Sequence, residues 1–456
     1  MEYRPRVLRS EVTLNSIQRL TFIQTPDSKD CQIMSTKPIQ LARSVRLWPD
    51  DKSESRRASW LELFFDLIFV AAVSQVGVPL GEDYSIHGLV RYSLMFLLIW
   101  WAWFGHTMYA TRFDTDDVVH RLLTLVQIFA AAAMAANAKQ NLADRDSAGF
   151  GAAYAVQRIV LVIQYLRARR EPKTRRLATI YATGFGIAAT LWTVAAVVPP
   201  PLRFWLWGAA LLIDLSTPSL TMRHAQTVPP HPEHLPERFG LFTIILLGES
   251  VAAVMRGMES QQSWPVSAAI SAFTGLALVF GLWWWYFDVA RGAEERPVRS
   301  ARDMLRFQVW SHAHFPLYLS IAVLGVGVER VISLPTGARL MGQHAWILIG
   351  AASVLMSTMI LVGLTSKRRE ADLPAWSRFL LLLTLLSAPW LSRVAPSCIL
   401  VVLLLLLCAV QIGLGRALAY GSNRPKSRSH DCPEVCDPAL PAGYGSRRLI
   451  SAKHSS

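Results

Sequence analysis

The sequence predicts an all-α fold, a multi-pass transmembrane helical bundle of about twelve helices, with ten to eleven as the alternative count. Three observations carry this. Of the 456 residues, 52% are hydrophobic and 17% charged, where a soluble globular chain has about a quarter charged. The apolar residues fall in blocks of spanning length, and Ile399–Ile412 has almost no polar face, unlike a surface helix of a soluble domain. Arginines crowd into alternate loops between the blocks, the pattern of a chain that crosses a bilayer repeatedly. The net charge of +14 belongs to that pattern. No zinc-finger spacing, Walker loop or aromatic–basic RNA motif accompanies it, so nucleic acid is not an expected partner.

In chain order, residues 1–57 are polar and basic and predict a disordered cytoplasmic leader. Met34 offers an alternative start, and no apolar core of signal-peptide length follows the early arginines. Twelve apolar segments follow, at 60–80, 88–110, 118–137, 148–167, 177–198, 202–220, 237–256, 266–288, 307–329, 345–364, 377–392 and 395–416. They make a transmembrane domain over 58–420, and the Ser-, Pro- and Arg-rich residues 421–456 predict a disordered cytoplasmic tail. If every segment crosses, the arginine runs Arg167–Arg176, Arg291–Arg306 and Lys367–Arg378 share one side, and the other side carries far fewer cations. The positive-inside rule then puts both termini in the cytoplasm, and the cell membrane is the expected location. Of the five cysteines, Cys398 and Cys408 lie in an apolar helix and Cys31, Cys432 and Cys436 in the tails, so no disulfide framework is implied. Cys432 and Cys436, with His430 nearby, read as free thiols of the tail rather than as a metal site.

Several stretches are distinctive. They are Trp60–Val70, Trp100–Trp103 followed by Gly105–Asp114, His234–Ser250, Trp283–Asp288 and His314-Phe315-Pro316. Together they resemble the bacterial low temperature requirement A (LtrA) family, over roughly residues 58–330. The resemblance implies a multi-pass integral membrane protein associated with growth at low temperature. It implies no particular substrate or reaction.

The chain also suggests two parallel six-helix repeats. Segments one and seven each carry Glu two residues before Phe, as Glu62-Leu63-Phe64 and Glu237-Arg238-Phe239. Segments two and eight close on aromatic clusters, Trp100–Phe104 and Trp283–Asp288. Parallel repeats occur in secondary transporters, with the site between the halves. Interfacial tryptophan belts offer the plainer explanation.

Polar residues inside the apolar segments are the candidate substrate- or ion-binding set: Glu62, Asp66, Arg158, Asp214, Glu237, Glu249, Asp288 and His314. Glu62 and Asp66 are four apart, hence on one helix face a turn apart. Each carboxylate costs roughly 2.5–3.5 kcal/mol at a helix centre on insertion scales, which implies a reason for keeping them. Glu62 and Glu237 lie near the headgroups, where solvation or the helix dipole can accommodate them; Asp66 lies deeper. Arg158, midway along segment four between Gln157 and Gln164, requires an acid, with Asp66, Glu249 and Asp214 as candidates. Glu249 follows Gly248 and is expected to find its partner on another helix. Asp66, Glu249 and Arg158 are expected to face a shared interior. The turn with Asp114, Asp116 and Asp117 reads as a salt-bridged cap for segment three rather than as a cation site, since its spacing is not that of an EF-hand. His312 and His314 point to different faces, and His106 is a lone histidine. Such residues are hydrogen-bonded core groups or proton relays. No cofactor or metal is implied.

Three functions fit these residues. The first is an ion-coupled secondary transporter or permease acting on an unknown small solute or ion. The second is a structural or stress-related membrane protein without transport. The third is an intramembrane enzyme, against which stand the short loops and the lack of a nucleophile elbow or zinc signature. A water-accessible cavity reaching Asp66 and Arg158 discriminates transport from the structural alternative.

Overall fold

The computed structural model describes residues 41–47, 58–114, 116–138, 147–221, 228–261, 265–335, 338–340, 342–366, 390, 393 and 397–422. Among them are eleven α-helices: α1 Trp60–Glu82, α2 Ile86–Ala110, α3 Val118–Asn137, α4 Ala148–Ala168, α5 Arg175–Val197, α6 Leu202–Leu220, α7 His234–Glu259, α8 Val266–Trp284, α9 Ala301–Ser333, α10 Gln343–Leu364 and α11 Ser397–Ser422. A π-helical turn, Trp285–Val289, continues α8. Ten of the eleven are long and apolar enough to cross a membrane. The exception is α6, which carries Arg203, Asp214 and the polar run Ser216–Ser219. The helices match the predicted segments, with α9 extended at its start, where Ser300 caps the backbone amide of Asp303 at 3.1 Å. The candidate segment 377–392, apart from Trp390, lies outside the described residues, as do Cys31, His430, Cys432 and Cys436.

The connections sort onto two opposite faces. On the first, β1 (Arg46–Leu47) pairs antiparallel with β2 (Phe113–Asp114) in the α2–α3 turn. The His231 amide donates to the Thr111 carbonyl at 3.1 Å, and the Arg296 amide to Pro232 at 2.9 Å. Ser366, after α10, donates to Glu294 in the α8–α9 connection. On the second face, Arg203 at the start of α6 donates to Ser147 before α4 at 2.9 Å. There too, Ser260 after α7 donates to Ser333 at the end of α9 at 2.9 Å, and the Ser397 amide donates to Ala338 at 3.2 Å. Successive helices therefore run from face to face, and α6 crosses with them. The leader strand and the end of α11, where Arg416 is 3.8 Å from Asp288, share the first face. Arg167–Arg176 and Arg291–Arg299 lie there as well, which is the charge asymmetry anticipated from the loops. Most of the leader lies outside the described residues, but Leu41–Leu47 is held in place by the α2–α3 turn and is a correction to the expectation of disorder for that stretch.

Large apolar side chains cover the outside of the bundle, with Trp205 76% and Phe273 74% exposed. A soluble monomer does not leave such a belt bare; hydrocarbon matches it. Inside, packing proceeds first between sequence neighbours: α3 on α4, α4 on α5, α5 on α6. The first four helices of each half repeat some contacts. α1 packs on α2 and α3 as α7 packs on α8 and α9, and α3 packs on α4 as α9 packs on α10. The halves then diverge, since α2 reaches α4 whereas α8 packs on α11. α1 and α7 start from the same face and touch each other.

Close approach in this packing depends on Gly184. A Cβ there would sit 2.3 Å from the Thr217 hydroxyl oxygen of α6, whereas a Cβ on Gly186 meets nothing within 4 Å. Gly184→Val is expected to cost about 1–3 kcal/mol more than Gly186→Val, through overpacking alone. Thermal unfolding of both variants in detergent checks this, and equal losses would contradict the α5–α6 contact.

Candidate functional site

The site begins with helix capping. Ser59 accepts the Glu62 amide, and Glu62 accepts the Ser59 amide at 2.8 Å, a capping box that opens α1. The same Glu62 reaches across to α7, where His234 Nε2 lies 3.1 Å from its Oε1. One turn deeper, Asp66 is fully buried. It accepts the indole N–H of Trp103 at 2.7 Å. Arg238 of α7 grips it through both carboxylate oxygens, with Nε 3.3 Å from Oδ2 and the second guanidinium nitrogen on Oδ1. A third guanidinium nitrogen lies 4.0 Å from Glu62. The Arg238 guanidinium also sits 5.8 Å above the Phe65 ring. Glu62 and Asp66, four apart on α1, are thus met by His234 and Arg238, four apart on α7. Bidentate geometry and burial make this the strongest class of charged contact. Glu237 is peripheral: its side chain is 38% exposed, accepts the Ala58 amide at 3.2 Å and lies 3.6 Å from His234 Nδ1.

Arg158 belongs to a second network. Its Nε is 3.1 Å from Asp214 Oδ2. Tyr154 donates to that same oxygen at 3.1 Å and receives a hydrogen bond from Arg158. All three groups are buried. Of the three candidate acids Asp214 is the partner, because α4 packs on α5 and α5 on α6, while Asp66 is taken by Arg238.

Glu249 stands in a third network. Contrary to expectation, its partner is on its own helix. Arg256, seven residues on and therefore two turns along the same face, lies 3.0 Å away. Arg256 also lies 3.1 Å from Glu329 of α9. These groups border a cavity of about 260 Å³ between α1, α2, α7 and α9, opening toward the second face. The expected shared interior for Asp66, Glu249 and Arg158 is thus corrected to three separate networks. Neither Asp66 nor Arg158 lines this cavity, so it is not the cavity reaching both that was expected to separate transport from a structural role. On α1 it ends at Val73, about 10 Å of helix rise from Asp66, and the buried Phe69 and Phe242 occupy the intervening turns.

The remaining candidates have local roles. Asp288 sits in the π-helical turn, half exposed, facing Arg416. His314 is a buried core group: Nε2 is 2.9 Å from the Tyr286 hydroxyl and Nδ1 2.7 Å from the Trp310 carbonyl. His106 packs against Phe65, the ring centroids 4.2 Å apart and the planes tilted by 32°. In the acidic turn, Asp117 caps α3 by accepting the His120 amide at 2.7 Å. It also accepts the Arg43 amide at 2.7 Å and the Arg167 guanidinium at 2.5 Å. Burial raises the pKa of Asp117, but these amides and Arg167 outweigh it and hold the carboxyl below its ordinary value. Among the described residues no three metal-ligating side chains come close enough to hold an ion.

Sequence reasoning missed His234 and Arg238 as partners, although their spacing mirrors that of Glu62 and Asp66. Breaking this pair from either side leaves a buried charge uncompensated. Asp66→Asn and Arg238→Gln are each expected to cost about 3–5 kcal/mol. The double change Asp66→Leu/Arg238→Met should cost much less than the sum. Unfolding midpoints in detergent read this coupling; additive losses would show that the two side chains do not depend on each other.

Comparison with known proteins agrees with this architecture. The model of the family described as bacterial low temperature requirement A protein matches residues 57–412, well past the motif-rich stretch ending near residue 330. An uncharacterized protein of Rhizobium meliloti is 26% identical over 302 residues, covering 62% of this chain and 72% of that one. No solved structure matches the chain. The match over most of the chain, on a bundle with ten spanning helices, places it: the protein belongs to the bacterial low temperature requirement A family.

Proposed function

We propose that this protein is an ion-coupled secondary transporter of the cell membrane, working by alternating access between α1 and α7. One observation carries the reading. The same two helices border, at one end, a cavity with apolar walls that carries Glu82, Glu249, Arg256 and Glu329, and are clasped by buried, complementary charges at the other. A blind cavity above a closed polar gate is one half of an alternating-access cycle. Protonating Asp66, or exchanging its counter-ion, would loosen Arg238 and with it the α1–α7 clasp. Coupling an ion to a helix movement requires a carboxylate whose partner sits on the moving helix, and Asp66 meets that requirement. The Arg158–Tyr154–Asp214 group does not line the cavity between α1, α2, α7 and α9 and acts as a structural tie within α4–α6.

The arginine-rich first face is the cytoplasmic one in this reading, by the positive-inside rule. Both termini are then cytoplasmic and the cavity opens outward. Reporter fusions between Arg169 and Lys173 and after Tyr420 should both report cytoplasm; a reporter near Gly342 should report the outside. Opposite signals from the first two would overturn the orientation.

Flux into proteoliposomes, driven by a pH gradient and measured for a panel of ions and small solutes, tests the function. The wild-type chain should accumulate at least one solute. Asp66→Asn should abolish pH-driven flux, and Trp103→Phe, which keeps the ion pair but removes one hydrogen bond to Asp66, should shift its pH dependence. Unchanged pH-driven flux in both correctly folded variants removes Asp66 as the coupling group. Absence of flux for every solute, with the protein folded, favours a structural role.

A further inference from the structure

We infer that the cavity between α1, α2, α7 and α9 binds a small organic cation, an alkylammonium or alkylguanidinium, in exchange for the guanidinium of Arg256. The inference concerns the cavity of the transport reading and rests on that reading for the ligand's role as cargo. Its first ground is charge. Arg256 is a single cation held by two carboxylates, Glu249 at 3.0 Å and Glu329 at 3.1 Å. Glu82 lines the same cavity, and Arg330 reaches the neighbouring Gly81 carbonyl at 3.5 Å, so three carboxylates face two cations there. Among the described residues, the hydrogen bonds and ion pairs of the Arg256 side chain all go to those two glutamates. It is also the most exposed of the three, at 45% against 26% and 28%. It is a tethered cation free to leave without breaking any other contact.

The second ground is an unused polar group. Tyr92 is 3% exposed and lines the cavity, yet its hydroxyl makes no hydrogen bond within the described protein. The hydroxyl has lone pairs to offer into the cavity, and an ammonium or guanidinium donor would satisfy them. The Tyr92 ring adds a face for a cation.

The third ground is shape. Gly77 and Gly325 leave the room, and Val73 and Val326 supply apolar wall. At about 260 Å³ the space lies below the usual range for drug-sized ligands, roughly 300–1,000 Å³. A short alkyl chain fits such walls. For a bare metal ion, no three carboxylate, histidine or cysteine side chains converge closely enough among the described residues. An anion would have to draw Arg256 from two carboxylates and leave both unpaired.

The test is equilibrium binding to the purified full-length chain in detergent, with butylguanidinium, butylammonium, sodium and acetate as probes. Butylguanidinium or butylammonium should bind, and sodium and acetate should not compete. Glu329→Gln should weaken binding about tenfold or more, the scale of one charge-assisted hydrogen bond. Arg256→Gln should tighten it about tenfold, because the tethered competitor is gone; Arg256→Lys, which keeps a weaker competitor and the fold, should fall between. A purely structural arginine gives no such gain. Loss or no change of cation affinity in both Arg256 variants overturns the inference, as does binding of acetate or sodium alone. Flux of any solute without organic-cation binding leaves the transport reading standing and removes this one. Binding with the predicted Arg256 response but without flux supports the site and removes the transport reading.

Discussion

Two charges buried on one face of α1 must be met from a neighbouring helix, and the arrangement of α1 against α7 follows from that. Glu62 faces His234 and Asp66 faces Arg238. Because both pairs repeat at four residues, they fix the rotation and the height of one helix against the other together. A slip by one turn, about 5.4 Å, would bring Arg238 to Glu62 and leave Asp66 charged without a partner where no water can replace it. Trp103 makes the register stricter, since its indole N–H needs an acceptor at the same depth.

The other buried ion pair follows a different logic. Arg158 and Asp214 lie on α4 and α6, joined over α5 by short connections, so they meet through sequential packing within one half of the chain. Tyr154 completes that group by bonding to both partners. The α1–α7 pair joins helices far apart in sequence. The two pairs therefore do separate jobs: one ties together a local three-helix unit, the other sets how the halves meet.

Much of this was legible in the sequence, and the remainder fails for identifiable reasons. Apolar blocks and alternating arginines suffice for the crossings, because spanning length and charge asymmetry are properties of the chain itself. Glu62 and Asp66 stood out because their cost in a bilayer needs no structure to recognise. Arg238 did not, because a cation at the second position of the sequence-read segment 237–256 reads as part of a basic loop; the matching spacing of His234 and Arg238 was the available signal. Arg158 left three acids open because a sequence does not say which helix lies beside α4. For Glu249, the two-turn spacing to Arg256 was present, but Arg256 near the end of α7 reads as a residue reaching for the interface. The ordering of Leu41–Leu47 was invisible, since its strand is two residues long and its support comes from Asp114, Asp117 and Arg167. The cavity was equally invisible, being a gap among four helices that are not all consecutive.

A structural role accounts for Arg158 and Asp214; in the transport reading proposed above, the geometry of α1 and α7 does more than set their register. Two helices clasped at one end by charge and parted at the other by a cavity form a lever. Around the cavity their contact is lined by small residues such as Gly77 and Ala253, which permit approach without clashes. To open the clasped end, Asp66 and Arg238 must separate, at about 3–5 kcal/mol if both keep their charge. An equilibrium that unfavourable holds well under about 1% of molecules in the open form. A proton on Asp66 removes one of the charges, and with it the main electrostatic opposition to separation. Occupation of the cavity can add only the difference between its affinities for the two forms. In the transport reading proposed above, the clasp would supply what a coupled carrier needs, a movement disfavoured until two events coincide.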